Sequence, residues 1–111
     1  MMPRMVALLN LLTLLKSESK RKTELWFTRA FRNKIELTKT LRCAKKAGLI
    51  AVDHIVVEPY NIVLGRRPRH IWYALTDLGM KFLESYPTWE VRPPKQVLGV
   101  CDEKPYMKSE R

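Results

Sequence analysis

Glycine, cysteine and acidic residues are all scarce in this chain of 111 residues, and each scarcity removes a class of function. The four glycines form no cluster of the kind that cradles a phosphate. The two cysteines, Cys43 and Cys101, are too few for a disulfide framework and form no C-x-x-C pair. A single Cys43–Cys101 bond is unsupported, and free thiols in a reducing compartment are expected. With His54 and His70 these cysteines make no metal-ligand spacing. Only 11 acidic residues are present, with no paired carboxylates and no Ser/His/Asp constellation, so no enzyme is expected and no cofactor or small-molecule ligand is implied. Asp53 and His54 are strand neighbours expected on opposite faces, which excludes a dyad. A long hydrophobic run is also missing. MVALLNLLTLL after Arg4 is too short to span a bilayer. It is followed by KSESKRK rather than a small-residue cleavage site, so it reads as a buried helix of a cytoplasmic protein, not a leader. It lacks a basic polar face of its own, which argues against a membrane role. Asn and Gln together number four, a depletion that leans towards a hyperthermophile.

Positive charge is abundant. Twenty-one Lys and Arg give a formal net charge of +10. Residues 1–22 carry +4, residues 23–50 carry +5, residues 51–86 balance at 0, and residues 87–111 carry +1. A basic excess held in half of a small domain favours a polyanionic partner, nucleic acid or an anionic membrane surface, over a merely basic soluble protein.

Periodicity orders the rest. Leu8, Leu11, Leu12 and Leu15 follow the spacing of a buried helical stripe over residues 4–16. Val6, Leu9 and Leu14 widen that stripe beyond one core contact, which suggests a subunit interface or deep burial within one domain. Thr23, with Glu24 in the first turn, is placed to cap a second helix, TELWFTRAFR. Trp26, Phe27, Ala30 and Phe31 form its core face, opposite Arg29 and Arg32. After Arg32-Asn33 a third helix runs to Gly48, its inner side lined by Leu37, Leu41 and Ala44. Residues 49–57 are rich in β-branched residues and read as a strand. Pro59, Tyr60 and Asn61 interrupt it, a basic turn occupies residues 62–69, and HIWYALT alternates as a returning strand. Thr76 caps a last helix with Leu78, Phe82, Leu83 and Tyr86 as its stripe, stopped by Pro87. Residues 1–86 therefore make one domain. Residues 87–111 read as a proline-containing arm or tail, with Trp89 packing on the core or pairing subunits.

This α+β order is helix, helix, tight turn, helix, strand, basic loop, strand, helix. It resembles the winged helix-turn-helix family of DNA-binding domains over roughly residues 4–86. KIELTKTLRCAKKAGLI resembles the recognition helix, whose common ending is L-x-x-L-x-x-x-G-L-I, with Ala44 in place of the second Leu. WYALTDLGMKFLE resembles the wing strand and closing helix, whose usual form is Y-x-L-T-x-x-G-x-x-x-L. The chain looks like the small stand-alone transcription regulators of archaea and archaeal viruses. The resemblance implies a nucleoid-associated regulator, in the host cell if viral, that binds double-stranded DNA as a homodimer.

In that frame the third helix enters the major groove with Lys39, Arg42 and Lys46 outward. Lys34 and Thr40 contribute at its near end, and Glu36 accepts from a cytosine amino group. Arg66, Arg67 and Arg69 at the wing clamp the backbone or enter a narrow minor groove. Cys43 faces outward on the third helix with Lys39, Arg42 and Lys46, and Lys20, Arg21 and Lys22 are either backbone contacts or an ordinary basic loop. The remaining aromatics, Trp26, Phe27, Phe31, Trp72, Tyr73 and Phe82, are expected in the core. An RNA-associated winged helix and a protein-interaction module with an acidic partner are the competing readings.

Overall fold

The computed structural model describes residues 3–94. Its elements are α1 (Met5–Ser17), β1 (Lys20–Arg21), α2 (Lys22–Phe27), α3 (Lys34–Lys46), β2 (Ile50–Val57), β3 (Arg69–Leu75) and α4 (Asp77–Glu84). The three strands form one antiparallel sheet in the order β1-β3-β2. The two-residue β1, absent from the sequence reading, pairs Lys20 with Tyr73 and Arg21 with Trp72. The β2–β3 hairpin packs its inner end, at Ile50 and Leu75, on the helices.

The breadth of the leucine stripe on α1 follows from its position. The helix packs against α3, α4 and β3, and Ala7, Leu9, Leu11, Leu12 and Leu15 are buried. A helix surrounded on several sides is apolar over most of its circumference. Leu25, Ala30, Phe31, Leu37, Leu41, Ala44, Leu49, Ile50 and Leu83 complete the buried cluster.

Polar residues are buried beside that cluster, Asn10 and Thr40 fully. Asn10 is fully buried, and its amide makes four hydrogen bonds. Nδ2 donates to the carbonyls of Ala30 at 3.2 Å and Arg92 at 2.9 Å. Oδ1 accepts from Trp89 Nε1 at 3.2 Å and from the Arg92 amide at 2.9 Å. Packing thus continues past Tyr86: Trp89 and Val91 lie against the core, and the Arg92 guanidinium covers the Trp89 ring at 4.2 Å.

The second helix is shorter than its pattern implies. It begins at Lys22, so Arg21 and not Thr23 occupies the cap, and the Arg21 amide donates to Glu24 Oε1 at 2.8 Å. It ends at Phe27, and Arg29 adopts φ 60°, the left-handed conformation that turns the chain towards α3. Leu25, fully buried, sets the inward phase of α2 and leaves Phe27 on the far side, 74% exposed, while Ala30 and Phe31 are buried from the turn itself. Trp72 also leaves the expected core. It lies half-buried, stacked on His54 at 4.5 Å with the Arg21 guanidinium 5.2 Å from its ring.

The Y-x-L-T-x-x-G pattern has a mechanical basis. Thr76 caps α4 by accepting from the Gly79 amide at 3.0 Å, and its hydroxyl donates to the Gly48 carbonyl at 2.6 Å. Its amide donates to the Leu49 carbonyl at 3.1 Å. A Cβ on Gly79 would stand 2.1 Å from that same carbonyl oxygen, so only glycine lets α4 approach this closely. A bulge between Val52 and His54 breaks strict alternation in β2. It brings Asp53 Oδ2 to 2.6 Å from His54 Nδ1, so the two residues expected on opposite faces are hydrogen-bonded.

Candidate nucleic-acid interface

The candidate interface centres on α3. Asn33 caps it, accepting from the Glu36 amide at 2.7 Å, and Gly48, at φ 79°, closes its far end. Leu37, Leu41 and Ala44 fix the helix on the core. That leaves Lys34, Ile35, Lys39, Arg42, Lys45 and Lys46 exposed, with Thr38 half-buried between them.

Two residues expected to contact bases from this face are not on it. Glu36 is 9% exposed and is held by Arg4, whose Nε and Nη2 donate at 2.7 and 2.9 Å. Arg32 adds its Nε at 3.0 Å and its backbone amide at 2.9 Å. The Arg4 hydrogen bonds, with those from Arg32, hold the Glu36 carboxyl down at about 2 against the opposing effect of burial. A carboxylate with these partners has no acceptor to offer a cytosine. Thr40 is fully buried, its hydroxyl donating to the Glu36 carbonyl at 2.7 Å, and it cannot reach a base. Both corrections follow from the phase of the helix: positions 36, 37, 40, 41 and 44 form one inward stripe.

The consequence for electrostatics is favourable. The one acid of α3 is turned inward and neutralised, so its outer surface presents cations with Ile35 and Thr38 among them. Lys22, from the start of α2, joins Thr38, Arg42 and Lys45 around a shallow depression that Tyr73 of β3 also lines. This carries the basic surface from α3 to the base of the wing. Lys20, by contrast, is paired with Glu18 at 3.0 Å. Lys45, Ile35 and Thr38 were missed in the sequence, although Thr38 and Ile35 lie on the helical phase of Lys39, Arg42 and Lys46 and were legible there. Cys43 is a free thiol and half-buried, not outward.

The wing differs from its sequence reading at the tip. Arg66, Arg67 and Arg69 are exposed as expected. They lie on the returning limb, however, and the apex is apolar. Asn61 pairs with Arg66 across a turn, the Gly65 amide donates to the Asn61 carbonyl at 2.8 Å, and the Leu64 amide donates to Asn61 Oδ1 at 3.0 Å. Gly65 takes φ 68° to close it. Further down the hairpin, the Glu58 amide donates to the Pro68 carbonyl at 2.9 Å, Arg67 Nε donates to the Glu58 carbonyl at 3.2 Å, and His70 Nε2 meets the Glu58 carboxylate.

No family model matches the chain, and no curated protein matches it. Solved structures do. A PadR family transcription regulator from Clostridium difficile superposes with a TM-score of 0.55 at 19% identity, over 74% of this chain and 82% of that one. PadR of Bacillus subtilis, solved in complex with operator DNA, gives 0.61 at 16% identity, over 83% of this chain and 52% of that one. The ytfH protein of Salmonella typhimurium gives 0.53 at 22% identity, over 71% of this chain and 62% of that one. This chain thus spans about half the length of the Bacillus protein. At these identities the likeness concerns the fold, and the chain has the winged helix-turn-helix fold that these structures share.

Proposed function

We propose that the chain is a sequence-specific, double-stranded DNA-binding transcription regulator acting as a homodimer in the cytoplasm. The observation that carries this reading is the outer face of α3: Lys34, Lys39, Arg42, Lys45 and Lys46 stand exposed, and the only acid of the helix is folded away against Arg4 and Arg32. The cations hold phosphates and guanine edges, and Ile35 and Thr38, near the helix N-terminus where base contacts concentrate, suit thymine methyl groups. Arg66, Arg67 and Arg69 engage the backbone beside the minor groove. Two copies related by a twofold axis would read half-sites about one helical turn apart.

Selection from random duplex DNA pools across a salt series tests this. One palindromic sequence is expected, with affinity falling steeply as salt rises. Lys39→Ala with Arg42→Ala weakens binding, and uracil in place of a contacted thymine weakens wild type but not Ile35→Ser. Selection of nothing from duplex DNA, with tight binding to RNA loops or to an acidic protein, would refute it.

A further inference from the structure

The apex of the wing is an unusual surface. Ile62 is 87% exposed, Val63 93% and Leu64 53%. Three consecutive apolar side chains held in water call for a partner. They are not the loose end of a flexible loop, because the Asn61–Arg66 pairing and the bonds from Gly65 and Leu64 to Asn61 fix the turn that displays them. Arg66 and Arg67 follow directly, both exposed.

We propose that this apex is a wedge that enters the DNA minor groove and partly unstacks one base step. The inference rests on the DNA-binding reading and deepens it. Ile62 and Val63 press between the bases while Arg66 and Arg67 neutralise the flanking phosphates. Apolar residues at the end of a rigid projection, with cations beside them, are the chemistry by which minor-groove proteins kink a duplex, and the unstacking cost is offset by wider contact. Charge selects a polyanion as the occupant, and shape selects a groove. The most exposed apolar residues, Ile62 and Val63, stand at the end of a projection only two strands wide, with Tyr60 beside them at 62% exposed. The hairpin also springs from the sheet beside α3, where Tyr73 and Arg42 line one depression, so wing and helix address the same duplex. Wedge and arginines differ in salt dependence: ion release at phosphates sets the slope of affinity against salt, and apolar insertion does not. A flexible pyrimidine–purine step is the preferred target because it unstacks most easily.

The test compares wild type, Ile62→Ser/Val63→Ser and Arg66→Ala/Arg67→Ala on duplexes selected from a random pool. Each duplex carries end labels for energy transfer and 2-aminopurine at successive adenines. Bound wild type is expected to bend the duplex and raise 2-aminopurine fluorescence at one step at the edge of the site. The serine variant keeps its melting temperature, loses the bend and the fluorescence, and binds roughly tenfold more weakly with an unchanged salt slope. The alanine variant lowers the slope. A wild-type complex that is straight and stacked, or a serine variant that bends DNA as wild type does, overturns the wedge and leaves the DNA reading intact. Wild type that binds no duplex defeats both. Cosedimentation with phosphatidylserine vesicles, or a dimer, lost in the serine variant while duplex bending persists, assigns the apex to membrane or to a second copy and overturns the wedge.

Discussion

Asn10 shows how much one side chain can hold. All its hydrogen-bonding capacity is used inside the core, so replacing it leaves several buried groups without partners. Asn10→Ala should lower stability by about 2–4 kcal/mol in urea unfolding, and Asn10→Asp should not rescue it, because a carboxylate cannot donate to the Ala30 and Arg92 carbonyls. Glu36 makes a separate prediction through pH. Its carboxyl titrates at about 2 in the folded chain against 4.5 ordinarily, so the folded state binds fewer protons there. The stabilisation is full above about 4.5 and is lost as pH falls towards 2. It amounts to on the order of 2 kcal/mol, discounted because Arg32 is largely exposed. Glu36→Gln should flatten that part of the stability profile while leaving base preference unchanged, as followed by thermal melts from pH 6 to about 2 and by duplex selection. Neither role was visible in the sequence. An asparagine within a leucine run and a glutamate one turn into a basic helix carry no local sign of which groups the tertiary fold will bring to them.

At the level of elements the sequence was far more informative, because capping, stop signals and helical phase are local. Thr76, Gly48 and the inward stripe of α3 lie where their chemistry placed them. Glu36 and Thr40 were misplaced because a sequence reading by residue type favoured polar side chains over the phase that Leu37 and Leu41 impose. The bulge at Asp53 and the early end of α2 at Phe27 depend on pairing and on a left-handed Arg29, which short-range patterns do not encode. The α4–hairpin junction gives the element-scale prediction. Gly79→Ala drives a methyl into the Leu49 carbonyl, and it should cost about 2–4 kcal/mol by forcing α4 off the sheet. A wild-type midpoint in denaturant would show that the close approach is not needed.

For the whole molecule, the net charge of +10 is unevenly placed, and the core-forming helix α1 holds only Lys16 of the Lys and Arg residues. The cations gather on α3, at Lys22 and on the wing. The log of DNA affinity should fall linearly with the log of salt, and Lys39→Ala with Arg42→Ala should lower the slope by roughly 2 if both residues hold phosphates. An unchanged slope would place those side chains on base edges instead. The buried amide of Asn10 has a last consequence at this scale. It joins the turn between α2 and α3 to the stretch ending at Arg92, so lifting that stretch away strips three of its four hydrogen bonds at once. Detachment of the far segment therefore leaves the Asn10 amide with the Ala30 carbonyl, in the turn before α3, as its one remaining partner among these four bonds.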